Sequence, residues 1–422
     1  MITISRSDPR RLFLGVLASA FTASGMKRSV RPLFSALFFG FLAATLICRV
    51  AIRRRSFSFS SAIAELGNSG LMTEELVFNE TLLEFAAIDP GEPKFKQEVD
   101  LISDYDNTRR SHRRYFSSMS RPIDGRRGNR NDITSNFPVT LRSPQVYRYW
   151  SEFKRNLQLW ARRKAYEPNI MLDLVRLVKI PIDSHNNNDA ISISSKRYSS
   201  CAVVGNSGTL LNRQYGDLID KHEIVIRMNN AKTQRFEKKV GSKTNISFIN
   251  SNILNQCARK ESCNCHPYGE RVPIVMYICQ PIHVLDYTVC KRSHRAPLVV
   301  TDPRFDVLCA RIVKYYSVKR FLEEKTAKGF KDWSKDHEGS LFHYSSGMQA
   351  VMLAVGVCEK VSIFGFGKMN SSKHHYHTNQ KAELKLHDYE AEYKLYRDLE
   401  YNPRAIPFLP KAFKIPLVKV YH

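Results

Sequence analysis

Short apolar runs rich in β-branched residues alternate with helical stretches through the second half of the chain, and almost nothing before residue 140 shows either period. CAVVG (201–205), EIVIRM (223–228), PIVMYIC (273–279), APLVVTDP (296–303) and KVSIFGFG (360–367) read as buried strands. Strands separated by crossovers predict a mostly parallel sheet with helices on both faces, an α/β domain. Ahead of them Tyr149, Phe153, Leu157 and Trp160 recur at helical spacing, and Met171 to Val178 before Pro181 reads as a further helix. In such sheets ligands sit at the carboxyl ends of the strands. Those ends carry Gly205-Asn206-Ser207-Gly208, Arg227-Met228-Asn229 and Gly365-Phe366-Gly367.

The N-terminal part follows other rules. Pro32 to Cys48 is an uncharged apolar run, bounded by Lys27, Arg28 and Arg31 before it and by Arg49 and Arg53 to Arg55 after it. Its length is near the lower limit for a bilayer span, and flanking arginines reach the headgroups. We read 32–52 as a transmembrane signal-anchor behind a tail, 1–31. Positive charge is nearly balanced across the anchor, so charge alone does not orient it. Leu12 to Ala23 also has the length of a signal-peptide core, and a start at Met26 would lead straight into the anchor. From 53 to 145 the chain carries an acidic patch (Glu74, Glu75, Glu80, Glu84), then RRSHRRYFSSMSRPIDGRRGNR. Low hydrophobicity and like charge predict a disordered stem, leaving 146–422 as the globular domain.

Charge and cysteines narrow the class. The net charge of +25 sits mostly in residues 1–60, with ten Lys/Arg against one Asp, and in 107–167, with fifteen against four acids. This reads as a solvated face with no nucleic-acid partner, since no zinc-finger, RNP or helix-turn-helix pattern accompanies it. Beyond Cys48 in the anchor lie eight cysteines, an even number that fits disulfides in an oxidising lumen. Cys263-Asn-Cys265-His266 with Cys257 could instead hold a metal, but paired CxxC spacing is missing. Sequons at Asn79, Asn245 and Asn370 point toward a secretory location as well.

Three stretches have candidate chemistry. Gly205-Asn206-Ser207-Gly208 fits a phosphate cradle, and equally a tight turn with close strand-helix packing. Tyr344-Ser345-Ser346-Gly347 opens a helix with hydroxyls and N–H groups that would face an anion or simply cap it. His374, His375, Tyr376 and His377, followed by His387 and Glu392, fit metal ligands, general bases or a solvated loop, and spacing alone does not choose.

Taken together these stretches have a family order. CAVVGNSGTLLNRQYGDLIDKHEIVIRMNNAKTQRFEKKVGSKTN (201–245) resembles the large motif of sialyltransferases, HYSSGMQAVMLAVGVCEKVSIFGFG (343–367) their small motif, HYHT (375–378) the third and HDYEAE (387–392) the very small motif. The variants HYSSGM and HHYHT look most like the plant sialyltransferase-like proteins. The resemblance implies a type II Golgi membrane protein with a lumenal catalytic domain of variant GT-A, Rossmann-like fold. It also implies inverting transfer from a CMP-sugar donor to a glycan acceptor, with no metal cofactor. Carried over by position, Asn206, Ser207, Thr209 and Asn229 would bind the nucleotide, with Ser345, Ser346, Gly347, Gly365 and Gly367 around the donor. His375 would face the leaving phosphate, His387 would take the acceptor hydroxyl's proton with Glu392 in support, and Cys201 would pair with Cys358. An inverting displacement needs one well-placed base, which imidazole supplies, and neutral donors at the phosphate can replace a metal. The one literal Asp-x-Asp, Asp104-Tyr105-Asp106, falls in the stem.

The sequence also departs from the pattern. Thr209 stands where many members have asparagine, Thr378 replaces a frequent acid, and the interval from His375 to His387 is short. A different donor is therefore open, Kdo on CMP or galactose on UDP, acting in cell-wall or proteoglycan glycan synthesis. The reading from another class is a catalytically silent, glycan-binding Golgi protein, against which both His375 and His387 stand.

Overall fold

Seven strands form one sheet in the order β5-β4-β3-β2-β1-β6-β7. They are β1 (Cys201–Val204), β2 (Ile224–Met228), β3 (Ile246–Asn250), β4 (Ile274–Tyr277), β5 (Leu298–Val300), β6 (Lys360–Phe364) and β7 (Leu417–Tyr421). Every neighbouring pair runs parallel, so the sheet is parallel throughout. The computed structural model describes residues 80–87, 92–104, 144–186, 195–254, 266–287, 294–324, 329–337, 342–368, 372–378, 384, 386–402 and 404–422. All of these belong to one unit, Phe78–His422. The anchor at 32–52, much of the stem, and the sequons at Asn79 and Asn370 lie outside them. Among the described residues no helix is long and apolar enough to cross a membrane.

The strand order reverses between β1 and β6, which makes their carboxyl ends the topological switch point where a crevice opens in a doubly wound sheet. Side-chain alternation divides the core between the two faces. Cys201, Val203, Ile226, Phe248 and Ile363 pack on one face, beneath the helix Ser346–Val357. Ala202, Val204, Val225 and Phe364 pack on the other, against Leu210, Ile219 and Val240. The helix Ser346–Val357 is buried from Gly347 to Val357 on all sides, the mark of a central helix, not a surface one.

Two strands were not apparent from the sequence pattern. In β3, Ile-Ser-Phe-Ile-Asn mixes polar and apolar positions within a longer motif, yet it is buried up to its last residue. In β7, an edge strand, exposed and buried residues alternate, so only Val418 and Val420 are buried.

The helices used below are α1 (80–87), α2 (Glu92–Asp104), α3 (Pro144–Arg162), α4 (Pro303–Glu324), α5 (Phe330–Asp336), α6 (Ser346–Val357) and α7 (Tyr389–Tyr401). Helices α1 and α2 lie inside the segment 53–145 expected to be stem, and they belong to the folded unit. Leu82 and Ala86 are buried in the main core, and the Phe85 ring sits 5.5 Å from Phe330 and 6.3 Å from Trp333. Val99 and Ile102 of α2 pack with Trp150 and Leu157 of α3. Leu82, Phe85 and Ala86 have helical spacing, but a short amphipathic turn disappears in a segment whose average composition is polar. A chain starting at Phe78 is expected to fold as a soluble monomer, whereas one starting near Ser143 loses both helices. Losing the buried Leu82 and the half-buried Phe85 side chains alone costs on the order of 5 kcal/mol. Thermal unfolding and gel filtration of the two chains check this; equal stability would mean that α1 contributes nothing to the core.

Candidate functional site

At the switch point the first turn is built from backbone against backbone. A Cβ on Gly205 would lie 2.3 Å from the Gly365 carbonyl oxygen, and Gly365 itself has φ +72°, a left-handed conformation that favours glycine. Gly205 N–H donates to the Phe364 carbonyl at 2.7 Å, and Ser207 N–H to the Gly365 carbonyl at 3.2 Å. The Ser207 hydroxyl donates to the Gly367 carbonyl at 2.7 Å and accepts from both the N–H and the hydroxyl of Thr209. Ser207 and Thr209, read from sequence as donor-binding, thus tie the large-motif turn to the Gly365–Gly367 loop. Asn206 differs: its Oδ1 is buried with no hydrogen-bond partner, an arrangement that costs about 1 to 3 kcal/mol unless a ligand satisfies it.

The third-motif loop lies against the same turn. Tyr376 N–H donates to the Asn206 carbonyl at 2.8 Å, and Gly208 N–H donates to the Lys373 carbonyl at 2.9 Å. His375 is therefore positioned by the large motif. Burial, reinforced by His374 and His377, lowers its pKa to about 4, so the imidazole is neutral at pH 7.

The second strand end forms a polar chain. Asn229, at φ +50°, accepts from Asn250 N–H at 3.2 Å through Oδ1. The Asn250 amide donates to the Ser346 hydroxyl at 3.1 Å, and the Tyr277 hydroxyl lies 3.3 Å from that same oxygen. The remaining amide oxygen of Asn250 is buried without a partner. Asn250 and Tyr277 went unremarked in the sequence because each ends a strand, β3 or β4, whose reach only the fold defines.

Helix α6 begins at this chain. Its N-cap, Ser345, accepts from Met348 N–H at 3.1 Å. Glu392 of α7 grips the same residue, accepting from Ser345 N–H at 2.7 Å and from its hydroxyl at 2.5 Å. Burial raises the Glu392 carboxyl to about 7, against these hydrogen bonds, which favour its ionised form. The contacts of Glu392 thus run to Ser345 and to Tyr396, whose hydroxyl is 3.4 Å away, and they make it the clamp between the small and very small motifs. Support for His387 comes from other residues.

The Nδ1 of His387 is 2.6 Å from the His343 carbonyl oxygen. A carbonyl only accepts, so Nδ1 carries the proton and Nε2 keeps its lone pair. Burial pushes the His387 pKa down to about 3, with the His343 carbonyl partly opposing it. The next residue, Asp388, caps α7 through Ala391 N–H at 3.1 Å. It also accepts from the Ser317 hydroxyl at 2.6 Å and from Arg320 at 3.0 Å, with His337 at 3.4 Å. Although burial disfavours its charge, His337, Ser317 and Arg320 hold the Asp388 carboxylate below its usual range. Ser317 in turn accepts from Trp333 Nε1 at 2.9 Å, so the turn bearing His387 is anchored in the core. Sequence reasoning passed over Asp388, although its place between His387 and the first turn of α7 was the available signal.

The disulfide expected between Cys201 and Cys358 is present, with Cα atoms 6.1 Å apart. It joins the start of β1 to the C-cap of α6, at the end of the sheet opposite the turns just described. The Oδ1 of Asn245 accepts from Val225 N–H at 2.9 Å, so this sequon's amide takes part in the β2–β3 pairing. Of the other cysteines, Cys309 is a buried free thiol.

Comparison with known proteins places these features in context. Residues 141–402 match the model of glycosyltransferase family 29 (sialyltransferase). A β-1,6-galactosyltransferase of Arabidopsis thaliana, GALT29A, is 84% identical over 400 residues, covering 94% of this chain and 100% of that protein. Sialyltransferase-like protein 1 of Oryza sativa subsp. japonica is 42% identical over 421 residues, again with 94% and 100% covered. Among solved structures, that of a mammalian sialyltransferase overlaps 66% of this chain and 85% of its own, at 20% identity and a TM-score of 0.34.

Proposed function

The chain belongs to glycosyltransferase family 29, and from that premise we propose that it transfers galactose, with inversion, from UDP-galactose to the C6 hydroxyl of an acceptor glycan. The observation that carries the chemistry is the His387 clamp, which leaves Nε2 as the one atom of that ring able to take a proton. The acceptor oxygen attacks the anomeric carbon as the bond to the nucleotide's phosphate breaks. The hydroxyl proton passes to His387 Nε2, and the electron pair leaves with the nucleotide. Asn206 and Asn250, each with a buried, unpartnered amide oxygen, supply the polar groups for the nucleotide. His375 and the first N–H groups of α6, at Ser346 and Gly347, receive the developing phosphate charge. No divalent metal enters this scheme. The choice of galactose is supported by the 84% identity to a galactosyltransferase over that protein's whole length. We read 32–52 as the anchor of a type II Golgi membrane enzyme with the domain in the lumen, a reading supported by the resemblance to sialyltransferases and by the uncharged apolar run itself.

Calorimetry of the purified chain in EDTA, titrated with UDP-galactose, UDP and CMP, tests the donor. UDP and UDP-galactose are expected to bind and CMP to bind far more weakly. Preference for CMP would return the enzyme to a CMP-linked sugar such as sialic acid or Kdo, and binding that appears only with added metal would remove the metal-independent scheme.

A further inference from the structure

The third-motif loop carries one more arrangement than the mechanism uses. His374 and His375 stack with ring centroids 4.5 Å apart, and His375 and His377 lie 5.7 Å apart with planes within 3° of parallel. Tyr376 between them turns the other way. Its ring is buried against Phe236 at 5.0 Å, and its hydroxyl donates to the Lys232 carbonyl. The Tyr376 ring also meets His377 edge-on at 5.0 Å, and the parallel rings of His375 and His377 continue with His374 as a column of three imidazoles. The Tyr376 N–H bond to the Asn206 carbonyl aligns this column with the large-motif turn. Two buried polar atoms then stand without partners on the adjoining segments, Asn206 Oδ1 and His377 Nε2.

Among the described residues, the charged and titratable groups acting on His375 and His377 carry positive charge or none. Lys232 lies near His377, His387 lies near His374, and His343 lies near His387. The Tyr389 hydroxyl is 3.5 Å from His374 Nε2. Arg227 acts on Tyr376 from behind.

We propose that His377 is a second phosphate ligand beside His375, and that the column takes up a proton when a nucleoside diphosphate sugar binds. The proposal rests on the galactosyl-donor reading above. Burial and neighbouring cationic groups favour the neutral form of His375, whose pKa is down at about 4, and of His377, whose pKa burial and Lys232 lower. An anion brought within about 4 to 6 Å raises an imidazole's pKa by about 1 to 3. A diphosphate carries two charges, and without a metal they call for cationic partners; protonating the column supplies one.

UDP-galactose is the probe, because its diphosphate is esterified at both ends and does not itself titrate near neutrality. Calorimetry at pH 6 in EDTA, in two buffers of unlike ionisation enthalpy, counts the protons. Wild type is expected to take up roughly half to one proton per UDP-galactose. His377→Phe keeps the stacked ring and removes both nitrogens, so uptake should fall by about half or more and affinity by about tenfold. His377→Gln keeps a donor that does not titrate, and should recover affinity without recovering the proton. Thermal midpoints equal to wild type establish that both variants fold. Wild-type binding without proton uptake, or uptake unchanged in both variants, overturns the column proposal and leaves the galactosyl reading standing. Failure of wild type to bind UDP-galactose while it binds CMP overturns the donor reading and this proposal with it.

Discussion

Replacing His387 by alanine is expected to slow glycosyl transfer by about 10² to 10⁴, the usual cost of a lost general base, with nucleotide affinity nearly unchanged. The separation follows from the geometry. His387 is fixed through Nδ1 to the His343 carbonyl, on the very small motif, whereas the unpartnered amide oxygens of Asn206 and Asn250 lie in the turn after β1 and at the end of β3. The low pKa, about 3, adds a pH signature. A base must be deprotonated, and this imidazole stays so far below the ordinary histidine range. The acid limb of kcat/KM, which reports the free enzyme, should therefore fall below about pH 5 and not near 6.5. A limb at 6.5 that vanishes in the alanine variant would mean that solvent reaches His387 freely. Undiminished turnover would remove it as the base.

Cys358→Ser is expected to cost about 3 to 5 kcal/mol of stability and to reduce secretion sharply. The bridge to Cys201 spans 157 residues of sequence, so cutting it releases a long loop in the unfolded chain. Both sulfurs are buried at the base of the sheet, away from the turns that would hold a nucleotide. Purified variant protein that remains folded should thus bind nucleotide normally while melting earlier. Chemical denaturation of wild type and Cys358→Ser, with and without reductant, measures the difference. Reductant should lower the wild type to the level of the variant and leave the variant unmoved.

The parts of this molecule legible in the sequence are those with a strong local pattern. Central strands such as Cys201–Val204 and Lys360–Phe364 are short and apolar, and the Gly205 and Gly365 turns follow them directly. Roles that depend on distant partners were less legible. Ser207 looked like a ligand because it follows a strand in a glycine-rich turn, and only the fold shows its hydroxyl held by Gly367, 160 residues away. Glu392 sits five residues after His387, which paired the two on paper. Only Tyr389 to Glu392 of that interval is helical, and this first turn of α7 points Glu392 toward Ser345, the N-cap of another helix. Helix α1 was hidden because eight residues of amphipathic pattern carry little weight inside a long polar segment.

The glycine contacts at the switch point have a consequence for how such an enzyme diversifies. The turn after β1 touches its neighbours through main chain, at Gly205 against Gly365 and at Gly208, where a Cβ would lie 2.6 Å from the Lys373 carbonyl. No side chain can be exchanged there without moving backbone, so descendants inherit this cradle unchanged. The rings of 374, 375 and 377 are side chains on a loop and can be replaced one at a time without disturbing the sheet. A lineage changing its sugar nucleotide would do so along that loop, and sequences selected in the laboratory for a new donor should accumulate their substitutions between 373 and 378 while the glycines stay fixed.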